Sequence, residues 1–537
     1  MGDNLDEKPR DPTAENEKLE AGDDSSVQAL LSRAHQEGIK PIFLAKVKVL
    51  NDAIADCGLG RYYELFCTAD LWLQAIAIVM PAIANQHNFP NYSSNIRMAT
   101  FALYCGLIVG ATFWGMTCDV IGRRTAWNAT LFISGIFGIA AGASPNFVTL
   151  GAMLACIGFG VGGNLPVDGA LFLEFLPGPY QYLLTLLSVW WAIGQVAGSL
   201  ISWVFLAKFS CNPDLVGTVV NGAIYQCDNS NNNGWRYSYY TMGALMVVLG
   251  VLRIFLFPMD ESPKFLVSIG RDQDAVDVIH RIAKKNKTTS KLTIQDLHDA
   301  AAPYIDPGSE DVSVARFTTW GLIRNSLCDD VHFDNVKGLF ATPRLAYSSI
   351  LIIFIYGALG LAYPLFNAFL GAYLSTREKE TGNTGIDATY SAYTYQAACG
   401  VGGSILAAVM VQWSRTGRKF SMAFFTIMSG VFLFALTAAR TSVQVNALVS
   451  IASFWENAFY GVLYGYAPEV FPTPRRGTGD AFAAASSRIT GLFAPIIAVY
   501  SNAGKTPNGP VYASATIFIV TGLVMLLLPI ETVGVTA

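Results

Sequence analysis

Charge is scarce in this chain. Only 14% of its 537 residues are Asp, Glu, Lys or Arg, where a soluble protein usually carries about 25%. So little charge cannot coat a globule of this length, which excludes a string of water-soluble domains. There is no basic excess either: the formal net charge is −4, so no cationic surface exists to grip phosphates, and nucleic acid is excluded as a partner. Nine cysteines are scattered without a CxxC pair and five histidines are dispersed. That removes zinc ribbons and thioredoxin-type redox motifs, and neither a metal nor another cofactor is expected. No Ser/His/Asp arrangement suggests an enzyme. Gly504-Lys505-Thr506 has the ending of a phosphate loop, but Val499 stands where the loop needs glycine, so an ATP-driven pump has no support.

What the chain does have is apolar length. It is 52% hydrophobic, with 10 Trp, 23 Tyr, 33 Phe and 49 Gly, as in polytopic helical membrane proteins. Apolar runs near 62–84, 96–118, 125–143, 147–175, 181–206 and 237–257 are followed by a long polar stretch. Six more follow near 346–374, 388–413, 419–438, 443–466, 478–500 and 509–530. Most hold the roughly 20 residues that cross hydrocarbon. The expected fold is an all-α membrane protein of twelve spans, six and six. Residues 61–257 form the first bundle, 258–345 a central loop with short amphipathic helices, 346–530 the second bundle, and 531–537 a short tail. Residues 1–40 carry ten acids against five bases, and 1–60 reads as a disordered acidic tail rather than a cleaved signal peptide.

Lys and Arg mark the cytosolic side. With the N-terminus inside, cytosolic loops hold Arg123, Arg124, Arg415, Arg418, Lys419, Arg475 and Arg476, and the central loop adds eleven bases between Lys264 and Arg344. Both termini are therefore expected in the cytosol, with the plasma membrane as the compartment. Asn91-Tyr92-Ser93 then faces outward as a glycosylation acceptor. Cys211 and Cys227 share one outer polar loop and can pair as a disulfide there.

An internal repeat is visible. Gly122-Arg123-Arg124 recurs as Gly417-Arg418-Lys419, and Glu174-Phe175-Leu176-Pro177 as Glu469-Val470-Phe471-Pro472, both at an offset of 295 positions. Two homologous six-helix halves follow, the architecture of secondary transporters.

Gly115-Met116-Thr117-Cys118-Asp119-Val120-Ile121-Gly122-Arg123-Arg124 resembles the G-x-x-x-D-x-x-G-R-R loop of the major facilitator superfamily. Asp260-Glu261-Ser262-Pro263-Lys264 and Pro468-Glu469-Val470-Phe471-Pro472-Thr473 resemble the elements that follow helices 6 and 10 of sugar porters. Within that superfamily, Gly160-Val161-Gly162-Gly163-Asn164-Leu165-Pro166-Val167-Asp168 is most similar to the synaptic-vesicle-protein-related branch and its fungal relatives. The resemblance implies alternating access between two six-helix bundles and a small-molecule cargo. Helix 7 reads Tyr356-Gly357-Ala358-Leu359-Gly360 without the Gln-Gln pair that holds hexose. Asn164 stands where phosphate porters carry aspartate.

Ionisable groups inside a span are expensive and mark pathways. Asp168 and Asp70 are the candidates for proton coupling. Asn164 and Gln74 share a helical face with them at i, i+4 spacing. Substrate candidates are Asn164, Gln74, Gln195, Tyr356, Tyr363, Asn367, Glu456, Tyr460 and Arg488, an aromatic-walled set with few polar groups. Arg488 either holds an anionic cargo or neutralises Glu456 or Asp168. Gly115, Asp119, Gly122, Arg123, Arg124, Glu174, Glu261, Arg418, Glu469, Arg475 and Arg476 make up the expected gate at the cytosolic helix ends.

The function read from this pattern is secondary active transport of a small polar organic solute or organic anion, coupled to protons, by a monomer in the bilayer. Alternatives are a sugar or phosphate symporter, an efflux carrier, or a nutrient sensor that transports nothing.

Overall fold

The computed structural model describes residues 41–58, 82–83, 86, 98–176, 180, 182–211, 218–220, 223–224, 226–228, 231–255, 259–304, 337–381, 386–413, 416–471, 476–500 and 508–532. Nearly all of the expected first span lies outside them, with Asp70, Gln74, Asn91 and Arg475.

A helix begins inside the segment expected to be disordered. In α1 (Pro41–Cys57), Leu44, Val47, Leu50, Ile54 and Cys57 are buried. They recur at three- and four-residue steps, so the segment has an apolar stripe and needs a surface to cover it. The tail assignment over 1–60 is corrected for these residues.

The remaining eleven expected spans are helical. The first half contains α2 (Met98–Ile121), α3 (Arg123–Gly142), α4 (Phe147–Phe175), the pair α5 (Tyr182–Leu186) and α6 (Ser188–Phe209), and α7 (Gly234–Phe255). Between α6 and α7 an antiparallel ribbon of β1 (Val219–Val220) and β2 (Ala223–Ile224) pairs Val219 with Ile224. Cys211 and Cys227 close this loop as a disulfide, with their Cα atoms 5.6 Å apart.

The central loop folds as α8 (Pro263–Ser268), α9 (Asp272–Asn286) and α10 (Ile294–Ala301). The second half holds α11 (Pro343–Thr381), α12 (Ile386–Gln412), α13 (Gly417–Thr437), α14 (Ser442–Val470), the broken pair α15 (Arg476–Gly491) and α16 (Phe493–Tyr500), and α17 (Gly509–Met525). Among the described residues, eight helical segments are long and apolar enough to cross a membrane. Of the others, α17 is apolar but shorter, and the break between α15 and α16 divides one expected span into two short helices.

Apolar side chains face outward along these helices, including Val109, Val204, Val248, Ile350, Val409 and Leu523, each at least 48% exposed. Seryl, threonyl and charged groups are turned inward instead. That inversion suits lipid as the surrounding solvent. Helices approach closely where glycine removes the side chain: Gly158 of α4 lies against the Leu103 carbonyl of α2, as small residues permit in membrane bundles. The two halves meet where α15 packs on α2 and α4, and where α12 and α14 pack on α5 and α6.

Below one end of the first half, α1 docks on α8, α9 and α10. Leu50 and Ile54 join Trp127, Phe172, Phe175, Leu266, Ile279 and Leu297 in one apolar cluster. Lys46 Nζ reaches Asp272 Oδ2 at 2.5 Å, and Asn286 Nδ2 donates to the Gly58 carbonyl at 2.9 Å. The acids Asp272 and Asp274 open α9, Lys284 and Lys285 end it, and that order complements the helix dipole.

Candidate functional site

Two groups of polar residues stand apart in this bundle, one at a charged rim and one in the interior. At the rim, α3 starts just after Gly122, which has φ 95° and caps no amide with a side chain. The first amides of a helix need acceptors. Glu261 supplies them: Oε1 accepts from Arg123 N at 3.0 Å, and both oxygens accept from Arg124 N at 3.3 Å. The Arg123 guanidinium pairs with Glu174 at the end of α4.

The second half repeats the arrangement. Glu531 accepts from Arg418 N at 2.9 Å and from Lys419 N at 3.3 Å, while Arg418 pairs with Glu469 at the end of α14. Burial pushes the Glu261 carboxyl above its ordinary value, while hydrogen bonds from Ser262, Arg124 and Arg123 and the Arg123 charge pull the other way. Gly115 of α2 sits against Ala481 of α15, at the seam between halves. Asp119 and Arg476 are described only as positions in α2 and α15.

The interior group surrounds a cleft with about 510 Å³ of empty space, counted out to its solvent mouth. Asp168, Gly169, Leu184, Leu187 and Trp191 line it from the first half, and Tyr356, Tyr464, Pro468, Asp480 and Ala484 from the second. Tyr464 is its aromatic hub. Its ring lies 5.0 Å from Trp191, edge to face, 5.7 Å from Tyr356 and 5.7 Å from Tyr460, stacked. The chain continues to Tyr363, whose ring is 5.3 Å from Tyr460, and Gln195 hydrogen-bonds the Tyr363 side chain.

Asp168 and Asn164 are joined by a hydrogen bond along α4, and Thr130 donates to Asn164 Oδ1 at 3.1 Å. Asn367 is turned to its own helix, donating to the Tyr363 carbonyl at 3.1 Å, and does not line the cleft.

Two charges in this interior have no ionic partner among the described residues. Arg488 is 8% exposed. Its Nη2 donates to the Gly162 carbonyl of the opposite half at 3.2 Å, and its charge is within electrostatic reach of Tyr104, Tyr356 and Tyr464. It neutralises neither Glu456 nor Asp168. Glu456 is 1% exposed, and its Oε1 accepts no hydrogen bond. A charged group at mid-span costs about 2.5–3.5 kcal/mol on insertion scales, so an unpaired one is kept against its cost.

Sequence reasoning missed three participants. Asp480 falls at the edge of its apolar run, yet lies two turns before Arg488 on the same face of α15. Tyr104 carries no motif. Glu531 was read as the start of a tail; its likeness to Glu261, an acid just after the last helix of a half, was the available signal.

The family model of the Major Facilitator Superfamily matches residues 65–495. The chain belongs to the Major Facilitator Superfamily. It is 41% identical over 507 residues, 92% of each chain, to a Ceriporiopsis subvermispora protein named MFS siderochrome iron transporter 1. It is 36% identical to the major facilitator-type transporter hxnZ of Emericella nidulans, covering 96% of this chain and 92% of that one. Among solved structures, the major facilitator proton:xylose symporter XylE matches with a TM-score of 0.61 at 14% identity, over 91% of this chain and 96% of that one. This facilitator is thus a multi-pass membrane transporter and not an enzyme.

Proposed function

We propose that this transporter carries small organic anions, coupled to protons, as a monomer in the plasma membrane with both termini in the cytosol. Arg488 is the observation that carries the reading. It is a buried cation with no carboxylate beside it among the described residues, close to an aromatic-lined cleft that both halves build. Its planar donors suit a carboxylate bidentately, and the neighbouring tyrosine and tryptophan faces suit an apolar body. Buried acids in and near the cleft, Asp168, Asp480 and Glu456, leave room for proton coupling, and the rim pairs serve as the gate that opens and closes as the halves rock.

Proteoliposomes under an inward proton gradient, offered a pool of carboxylates, phosphate, sugars and amines, test this directly. Mass spectrometry of the lumen should report carboxylates enriched by wild type and at least about tenfold less by Arg488→Gln, as loss of a charge-assisted hydrogen bond predicts. Enrichment of sugars or amines, indifferent to Arg488→Gln, would sink the anion reading.

A second reading has its own support. The 41% identity to a protein named for siderochrome iron favours an iron chelate as cargo. Adding a ferric hydroxamate to the same pool separates the two.

A further inference from the structure

We propose that Glu456 is the group that carries the proton through the transport cycle; this rests on the proton-coupled reading above and names its site. The side chain lies at the middle of α14, 1% exposed, with a carboxylate oxygen that finds no donor. Three neighbouring polar groups are committed elsewhere. Tyr460, one turn on, donates its hydroxyl to the Leu359 carbonyl at 3.4 Å. Tyr363 of α11 is engaged by Gln195. Asn457 donates to the Ser453 carbonyl at 3.1 Å.

Among the described residues no cation pairs with it. Of the titratable groups, Tyr363 from α11 and Tyr460 from its own helix face it. Arg488, from α15, faces Tyr104, Tyr356 and Tyr464 instead. Among the described residues, α4, α5, α6, α12 and α13 bring no charge to it. Asp168 is buried too, but it lines the cleft, and Asn164 donates to one of its oxygens.

A carboxyl in such a place persists only by gaining a proton when the bundle closes over it. The Tyr363 and Tyr460 rings that face it belong to the aromatic chain that starts at the cleft, and Glu456 itself does not line the cleft. The proton comes from water on the side to which the cleft opens, rides as the neutral acid while α11 and α14 are packed, and leaves to water on the other side once they part. The bases and acids of the rim take no part in this step.

Infrared difference spectroscopy of the purified full-length protein in detergent, titrated across pH, reads protonated buried carboxyls with protons as the only probe. Wild type should show a titrating carboxyl band of a desolvated acid, shifted in heavy water. Glu456→Gln should lose it, Asp168→Asn should keep it, and Glu456→Asp should restore a band at a shifted position. Size-exclusion profiles guard against a folding artefact in the Gln variant, and the Asp variant keeps the question open to an answer if Gln does not fold. Persistence of the band in Glu456→Gln, or its loss in Asp168→Asn alone, overturns the assignment, as does a wild type with no such band. None of these outcomes depends on which cargo is carried, so the anion reading stands or falls separately.

Discussion

At the rim of this transporter, buried charges come in matched sets; in its interior, Glu456 and Arg488 do not pair among the described residues. Arg123 meets Glu174 and Arg418 meets Glu469, with side chains from 13% down to 2% exposed, and the amides beside each arginine are capped by Glu261 or Glu531. In the interior, Glu456 and Arg488 are buried to a similar degree and have neither arrangement among the described residues. Both regions bear the desolvation cost of their charges. Among the described residues only the rim recovers it through ion pairs, and on the function proposed above the interior charges of Glu456 and Arg488 serve the proton and the cargo.

The largest effect expected from that contrast is at the rim. Removing one member of a buried pair strands the other, at about 3–5 kcal/mol. Arg418→Ala should therefore lower detergent thermal stability more than any interior substitution, and Arg123→Ala somewhat less, because its side chain is 13% exposed against 5%. Swapping Arg418 and Glu469 should recover part of the loss. Thermal melts that show no difference between rim and interior variants would break the comparison.

Next comes the interior. Arg488→Gln gives up one bond to a backbone carbonyl and leaves no acid stranded, so its melting temperature should hold or rise. Its affinity for a carboxylate should fall by about 1.5–3 kcal/mol, the worth of a hydrogen bond to a charge. A titration of anion binding beside the melt would separate the two effects.

The rim was legible in the sequence for a physical reason. Gly-Arg and Glu-Phe/Val motifs at a common offset report a duplicated half, and duplicated halves bring equivalent side chains together. Eleven of the spans were legible as helices because lipid imposes long apolar runs. Glu531 was not, since it acts through backbone amides 112 and 113 positions away, a relation that no local period encodes. Nor was α1: its stripe of Leu44, Val47, Leu50 and Ile54 is interrupted by Lys46 and Lys48, and only the docked surface of α8, α9 and α10 shows what covers it. The isolation of Glu456 is a property of everything around it, which spacing along one helix cannot reveal.

A finer test compares the two halves of the rim. Gly122 has φ 95° and ψ 142°, a region that side chains avoid at about 1–3 kcal/mol, and a Cβ there would meet Glu261 Oε2 at 2.5 Å. At Gly417, φ is 64° and the corresponding approach to Glu531 Oε2 is 2.9 Å. Gly122→Ala should thus destabilise more than Gly417→Ala in paired melts. Equal losses would mean that the carboxylates yield and only backbone strain counts.

The smallest effect is a pH slope carried by Glu261. Burial raises its carboxyl in the folded protein above the ordinary 4.5, so the folded state holds this proton more tightly than the unfolded chain does. Between those two values the folded state binds more protons, and linkage makes its stability fall as pH rises. The contribution is complete below the unfolded value and is lost as pH climbs through the raised one. Glu261→Gln removes the titration but keeps an acceptor for the Arg123 and Arg124 amides. Melts of the two proteins across the acid range should converge at low pH in slope, with wild type alone losing stability on the way up. A wild type that instead gains stability over that window would mean that the amide bonds and the Arg123 charge outweigh burial, and that the first half of the rim is as fully compensated at Glu261 as it is at Glu174.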